Sequence, residues 1–116
     1  MRRADRPGRL RYKMDILELT AVELGRKIKE REISAVEAAE ASLTQIDRLE
    51  DTLNCYVTVD REGALERARQ VQSRIDEGSL NGSLAGVPVA VKDNLCTRGM
   101  LTTCGYEVEF PEQEYQ

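Results

Sequence analysis

Apolar residues recur every three or four positions in three stretches of the chain, which is the pattern of amphipathic helices. The first helix is predicted from about Ala21 to Glu30, the second ends near Leu53, and the third begins near Asp60. The positions expected to face a core are Ala21, Leu24 and Ile28 in the first helix, Val36, Ala39, Leu43, Ile46, Leu49 and Leu53 in the second, and Ala64, Leu65, Ala68, Val71 and Ile75 in the third.

Residues at the ends of these stretches match known signals for the start and the end of a helix. Thr20 and Ser34 are each followed three positions later by a glutamate, Glu23 or Glu37, which is the spacing of a capping box. In a capping box the hydroxyl and the carboxylate each accept a hydrogen bond from a backbone N–H that the helix leaves unpaired. Gly78 is a stop signal for the third helix.

Two shorter segments have the pattern of β-strands. Residues 54–59 alternate, with Cys55, Val57 and Val59 facing one way. Residues 87–91 are a continuous apolar run, which is typical of a strand that is covered on both faces in a mostly parallel sheet. Because a helix separates the two strands, the pattern predicts a βαβ unit within an α/β fold.

The composition restricts the chemistry that the chain can perform. It has 116 residues, enough for one small domain or part of a larger one, and contains no His and no Trp. A Ser-His-Asp triad, a Cys-His pair and a histidine-based metal site are therefore excluded within this sequence. Aromatic residues are scarce, so any core must consist of Leu, Ile, Val and Ala. Cys55, Cys96 and Cys104 form no CxxC pair, and we expect reduced, partly buried thiols rather than a zinc site.

Charge is distributed unevenly along the chain. The formal net charge is −4, but residues 1–13 carry six basic groups against one acidic group, which leaves −9 for the remainder. We interpret residues 1–13 as a basic extension that is disordered or precedes a true start at Met14, with binding to RNA or an acidic surface as the alternative. Residues 14–104 form the body, whose acidic balance argues against a nucleic-acid face. Residues 105–116 are a divergent acidic tail.

Lys92 is the residue with the clearest potential for chemistry. It directly follows the predicted strand at 87–91, and ligand sites in open α/β sheets lie at the carboxyl ends of strands. Apolar surroundings lower the pKa of a lysine, because desolvation penalises the ammonium more than the amine, and a neutral amine can act as a general base. The alternative is that Lys92 only marks the exit from the strand, with Asp93 as a neighbouring charge.

The segment around Lys92 also resembles a known family. Residues 86–94, Gly-Val-Pro-Val-Ala-Val-Lys-Asp-Asn, are similar to the lysine segment of the amidase signature enzymes. Residues 95–104, which include Leu-Cys-Thr and Thr-Thr-Cys, are similar more narrowly to one subfamily, the A subunits of glutamyl-tRNA(Gln) amidotransferases. Further segments that resemble this subfamily are residues 19–24, 32–37 and 54–59. The resemblance covers about residues 14–104, the N-terminal portion of such a protein.

The resemblance implies an amidase-signature α/β fold, of which this chain holds an N-terminal helical hairpin and the start of an incomplete mixed β-sheet. It implies that Lys92 is the catalytic base of a Ser–cis-Ser–Lys triad, in which the bridging serine relays a proton from the nucleophile. The nucleophile attacks the side-chain amide of glutamine and releases ammonia, and water hydrolyses the acyl-enzyme. Both serines fall downstream of this chain, so we expect the chain alone to be inactive. In the resemblance, the loop that contains Ser79 and Ser83 corresponds to the linker before the lysine strand. We therefore do not expect either serine to be the nucleophile.

Partners are also implied by the resemblance. Ammonia would pass to a partner subunit that converts Glu-tRNA(Gln) to Gln-tRNA(Gln) with ATP and Mg, within a cytoplasmic heterotrimer that also contains subunits B and C. The chain itself would hold no cofactor and no metal, and tRNA would bind through the partner subunit. Two alternatives remain open. In the first alternative, the chain is a non-enzymatic interaction module that docks through the apolar stripe of the second helix. In the second, it is a fragment of another amidase-signature hydrolase.

Overall fold

The computed structural model describes residues 15–107, so the basic extension at 1–13 and residues 108–116 of the tail lie outside the described residues. Within the described range, three helices form: α1 spans Ala21–Lys29, α2 spans Ala35–Leu53 and α3 spans Arg61–Asp76. A short helical turn at 15–17 precedes them. All three predicted helices are confirmed, and their ends lie within one or two residues of the expected positions. None of these helices is both long and apolar enough to cross a membrane.

Both predicted capping boxes are present. The Thr20 hydroxyl accepts a hydrogen bond from the Glu23 N–H at 3.2 Å, and the Glu23 carboxylate accepts one from the Thr20 N–H at 2.8 Å. The hydrogen bond from the Thr20 backbone N–H, and secondly the Thr20 side chain, lower the pKa of the Glu23 carboxyl. Ser34 and Glu37 repeat the arrangement at the start of α2, with distances of 3.0 and 2.9 Å. Local side chains therefore determine where α1 and α2 begin.

α2 and α3 form an antiparallel hairpin. The backbone N–H of Ala35, at the start of α2, donates to Oε1 of Gln72 in the second half of α3 at 2.8 Å. Nη2 of Arg61, the first residue of α3, donates at 2.6 Å to both carboxylate oxygens of Asp47 in the second half of α2. Because the start of each helix meets the later half of the other, the two run in opposite directions. The helical hairpin of the predicted fold is therefore present.

The core is a small aliphatic one shared by the three helices. Ile28 of α1 is fully buried at its centre. The larger buried cluster contains Ile16, Leu24, Ile28, Ile33, Ala38, Ala41 and Ile75, and the smaller one contains Ala35, Ala39 and Ala68. Half of these residues are alanines, so little apolar area is buried per residue, as the scarcity of aromatic side chains predicted.

The predicted apolar stripes are confirmed only in part. Ala39 and Leu43 of α2 are buried as expected, whereas Leu53 at the end of the helix is 56% exposed. Ala38 and Ala41 are buried although they lie outside the predicted stripe, because the first half of α2 packs against α1 on one side and α3 on the other. The positions predicted to face the core and found exposed are Ala21, Leu53 and Ala64.

The predicted strand at 54–59 does not form. Asn54 is instead the C-cap of α2, in the left-handed conformation at φ 49 and ψ 48, and its N–H donates to the carbonyl of Glu50 at 2.8 Å. The N–H of Tyr56 donates to the Glu50 carboxylate at 2.9 Å. The backbone at the start of this segment is therefore bonded to the end of α2, which removes it from pairing with another strand.

Residues 87–91 do not form a strand either, so the prediction of an α/β fold is not confirmed in residues 15–107, whose regular structure is helical. Val89 is 79% exposed and Val91 is 53% exposed. An apolar run becomes a strand only when a neighbouring strand pairs with its backbone groups. The described residues offer no such neighbour, since the β-type pairing among them is a single bridge between Thr97 and Met100.

The loop at 83–87 lies directly on the helical core, and two glycines allow it to do so. A Cβ added to Gly25 of α1 would lie 2.0 Å from the carbonyl oxygen of Ser83. Gly86 has φ +85, and a Cβ added there would lie 3.1 Å from a methyl carbon of Ile28. Glycine at both positions therefore permits close contact, and at Gly86 also a left-handed backbone conformation. This contact fixes the point from which the chain continues to Lys92.

We expect Gly25→Ala to destabilise the protein, although alanine is favoured over glycine in helices by about 1 kcal/mol. The added Cβ would collide with the Ser83 carbonyl, so the free energy of unfolding, measured by urea titration with circular dichroism, should fall by about 1–3 kcal/mol. Ser73→Ala, at an exposed position of α3, is the control and should leave stability unchanged or slightly increased. An increase in both variants would show that the loop does not press on α1.

Candidate active site

Lys92 lines an open concavity of about 680 Å³, a size that would accommodate a small molecule. Its walls come from two stretches that are far apart in sequence, residues 55–58 after α2 and most of residues 90–105. These stretches overlap the two predicted strands. Both segments therefore line the same concavity, although neither of them is a strand.

The surroundings of Lys92 differ from the apolar enclosure that its position in the sequence predicted. Lys92 is exposed, and Val91, Leu95 and Leu101, which line the same concavity, are exposed as well. The described residues bring apolar side chains to one surface but do not cover the lysine. The role of Lys92 as a base therefore remains a prediction.

Asp93 closes the loop that follows Lys92. One carboxylate oxygen, Oδ1, accepts a hydrogen bond from the Thr103 N–H at 2.9 Å, and the other, Oδ2, accepts one from the Thr103 hydroxyl. The backbone carbonyl of Asp93 accepts a third bond from the Cys104 N–H at 2.9 Å. Three hydrogen bonds thus join Asp93 to residues ten and eleven positions later. From the sequence, Asp93 was expected only as a neighbouring charge, and this contact was missed.

A tight turn at 103–106 presents Thr103 to Asp93. Cys104 and Gly105 have φ angles of 54 and 78, and the N–H of Tyr106 donates to the Thr103 carbonyl at 3.0 Å. Positive φ at both central residues is the mark of a type I′ turn, and glycine at the second position favours it. The Gly105 N–H also donates to the Thr103 hydroxyl oxygen at 3.2 Å, so this hydroxyl both donates and accepts.

The middle of the loop is folded back on itself. The N–H of Met100 donates to the Thr97 carbonyl at 3.3 Å, across a turn that contains Gly99 at φ 78. The Thr102 hydroxyl donates to the Leu95 carbonyl at 3.4 Å. Residues 93–105 therefore form a compact loop whose two ends are joined by Asp93.

The hydrogen bonds to Asp93 keep it ionised. The bond from the Thr103 hydroxyl, followed by that from the Thr103 N–H, holds the pKa of Asp93 below its ordinary value of 3.8. Partial desolvation, the next largest effect, raises the pKa, and the Gly105 backbone and the charge of Lys92 lower it by smaller amounts. At neutral pH the loop is accordingly held by a carboxylate, which accepts stronger hydrogen bonds than a neutral group.

The other candidate side chains contribute less to the concavity. Cys55, Cys96 and Cys104 are unbridged thiols, and all three are exposed, which corrects the expectation of partial burial. They are exposed because the segments that carry them lie outside the helical core. The Ser79 hydroxyl donates to the Arg74 carbonyl at 3.2 Å, which caps α3 and points to a structural role.

Metal ligands are not assembled in this part of the chain. Among residues 15–107, no three His, Cys, Asp or Glu side chains lie close enough together to hold a metal ion.

Residues 37–113 match the amidase family model, which covers more than half of the sequence. The chain belongs to the amidase family, as the motifs around Lys92 indicated. No solved structure matches it significantly.

Curated relatives make the resemblance more specific. The chain is 53% identical over 95 residues to a protein from Agathobacter rectalis that is named as the A subunit of a glutamyl-tRNA(Gln) amidotransferase. It is 55% identical over 95 residues to the protein of that name from Lachnospira eligens, and 47% identical over 95 residues to that from Carboxydothermus hydrogenoformans. Each match covers 82% of this chain but only 19 or 20% of the relative. The chain thus spans about a fifth of the length of these relatives.

The pH dependence of the loop should follow the titration of Asp93. Because the pKa is lower in the folded loop than in an unfolded chain, ionised Asp93 stabilises the loop above pH 3.8, and this contribution is lost as pH falls through the lowered value. An NMR titration that follows the Thr103 amide should give a midpoint below 3.8. Thr103→Val removes the strongest hydrogen bond and should raise this midpoint. A midpoint at or above 3.8 in the unmodified chain would contradict the geometry.

Proposed function

We propose that this chain is the N-terminal part of the glutamine-hydrolysing component of a tRNA-dependent amidotransferase, in which Lys92 is the catalytic base of a Ser–cis-Ser–Lys triad. The main support is the amidase family match over residues 37–113, which includes Lys92 and the loop after it. The names of the curated relatives favour the tRNA-dependent enzyme over another amidase.

The proposed chemistry requires a proton acceptor that works without histidine. The neutral amine of Lys92 takes a proton from the bridging serine, which in turn takes one from the nucleophilic serine. The nucleophile attacks the carboxamide carbon of glutamine, and the proton returns to the departing nitrogen as ammonia leaves. Water then hydrolyses the acyl-enzyme to glutamate. The resemblance places both serines downstream of the matched segment, so we propose that the chain alone does not hydrolyse glutamine.

The complete protein would also supply the missing part of the fold. Residues 54–59 and 87–91 are proposed to become neighbouring strands of a mixed sheet once further strands pair with them. Two observations support this proposal. Both segments line one concavity, and the apolar side chains of Val89 and Val91 are exposed to solvent. Pairing and coverage of these residues would place Lys92 at the carboxyl end of a strand, in the apolar environment that a neutral amine requires.

The proposed reaction also defines partners. Relatives that are named as one subunit of an amidotransferase belong to an assembly of more than one subunit, and we propose a cytoplasmic heterotrimer with subunits B and C. Ammonia released near Lys92 would reach a partner that uses ATP and Mg to amidate Glu-tRNA(Gln), and tRNA would bind through that partner. The alternative of a helical interaction module is less well supported, because Ala39 and Leu43 of its docking stripe are buried within the chain.

The test of Lys92 uses a complete enzyme. In a chimera, the matched part of this chain replaces the corresponding 95 residues of the Agathobacter rectalis relative, which is assembled with its own partner subunits. Lys92→Ala should lower kcat for glutamine hydrolysis by about 10²–10⁴-fold, the usual contribution of a general base. Lys92→Arg should lower it similarly, because arginine keeps the charge but does not release its proton.

Two controls accompany this test. Lys29→Ala changes an exposed lysine of α1, whose Nζ donates to the Asn81 carbonyl at 3.1 Å, and should leave kcat unchanged. The unmodified chain on its own should show no glutamine hydrolysis. Near-normal kcat in the Lys92→Ala chimera would contradict the assignment of the base, and turnover by the isolated chain would contradict the assignment of the nucleophile to a downstream segment.

A further inference from the structure

We propose that Asp93 is a positioning residue for Lys92, because it fixes the direction in which the chain leaves the lysine. The inference rests on the proposed function, in which Lys92 is the base. It also makes a separate structural claim, that Asp93 and Thr103 together form a clamp that closes residues 93–105. The two claims are tested by different measurements.

The clamp holds the chain on the carboxyl side of Lys92. The Lys92 carbonyl accepts a hydrogen bond from the Leu95 N–H at 3.0 Å, and the next residue, Asp93, is bound through both carboxylate oxygens and its carbonyl. On the amino side, Val89 and Val91 are exposed and do not pair with another strand among the described residues. The clamp therefore fixes the Lys92 backbone from its carboxyl side, where the anchor nearest on the amino side is the contact of Gly86 and Val87 with the core.

The clamp also maintains one wall of the concavity. Asp93 and Thr103 are both half-buried, whereas Lys92 beside them is exposed. Most residues between them line the concavity, among them Asn94, Leu95, Thr97, Met100, Leu101 and Thr102. Opening the clamp would separate the two ends of this loop and remove the wall against which Lys92 is placed.

The chemistry of the two side chains explains why this pair is suited to the task. A carboxylate can accept the N–H and the hydroxyl of Thr103 at the same time, whereas an alanine at position 93 could accept neither with its side chain. The Thr103 hydroxyl also accepts from the Gly105 N–H, so it connects the clamp to the turn. Serine at position 103 would retain these bonds, and valine would retain only that from the backbone N–H.

The structural claim is tested in the unmodified 116-residue chain by NMR hydrogen exchange. The amides of Thr103, Cys104 and Gly105 are the donors in the clamp and should be protected. Asp93→Ala should increase the exchange of the Thr103 amide about tenfold or more, because its hydrogen bond to a charged group is lost. The Cys104 amide should be affected less, because it donates to the backbone carbonyl of residue 93, which alanine retains. Asp51→Ala, which removes an exposed carboxylate of α2, is the matched control and should leave them unchanged.

The positioning claim is tested in the assembled chimera with the Agathobacter rectalis relative. Asp93→Ala and Thr103→Val should each lower kcat for glutamine hydrolysis by about 10–10²-fold with KM unchanged, because a misplaced base affects the chemical step and not substrate binding. Thr103→Ser, which keeps the hydroxyl, should have the kcat of the unmodified chimera. A purely structural role would instead change the yield of folded enzyme and leave kcat per active site intact.

Each outcome separates the two claims. Fast exchange of the three amides in the unmodified chain would overturn the clamp. Protected amides together with an unchanged kcat in Asp93→Ala and Thr103→Val would overturn the positioning role. If Lys92→Ala keeps its activity, the base assignment fails and the positioning role fails with it, while the exchange data still report on the clamp. Thr103→Val removes only the two hydrogen bonds of one hydroxyl and keeps the bond from the backbone N–H, so it tests the positioning role even if Asp93→Ala does not assemble.

Discussion

The contact between the loop at 83–87 and the helical core is the constraint on which the rest of the structure depends. It exists because Gly25 and Gly86 have no side chains, which lets the Ser83 carbonyl and the backbone at Gly86 lie against α1. The buried side chain of Ile28 supports both sides of this contact, since it belongs to the core and touches the loop. Lys92 follows Gly86 by six residues, so the helices determine where the lysine segment begins.

Beyond that contact, the structure has two parts that are stabilised in different ways. The helices are held by their own caps, by the α2–α3 hairpin and by a small aliphatic core. The lysine segment is anchored by Gly86 and Val87 on the core and by Asp93 in the loop, and Val89 and Val91 between them are exposed. An enzyme in which the missing strands cover this segment would bring a fixed base and an apolar environment together at Lys92.

The features that could be predicted correctly from the sequence are those that depend on neighbouring residues. Thr20 and Ser34 mark the helix starts because each bonds to a glutamate three positions away. The strands were not predicted correctly, because strand formation depends on a distant partner, and Asn54 instead ends α2 in a left-handed conformation. Lys92 was found through its motif. Its link to the clamp was missed because Asp93 and Thr103 are ten residues apart and the turn that joins them has no strong signal before Gly105.

The central claim is that the helical core forms from this chain alone, whereas the segment before Lys92 is completed by the rest of the enzyme. Amide hydrogen exchange of residues 87–91, compared between the isolated chain and the assembled chimera, tests it most directly. We expect fast exchange of the Val89 and Val91 amides in the isolated chain and strong protection in the chimera, with Leu24 and Ile28 of α1 protected in both. Equal exchange at 87–91 in the two proteins would contradict it.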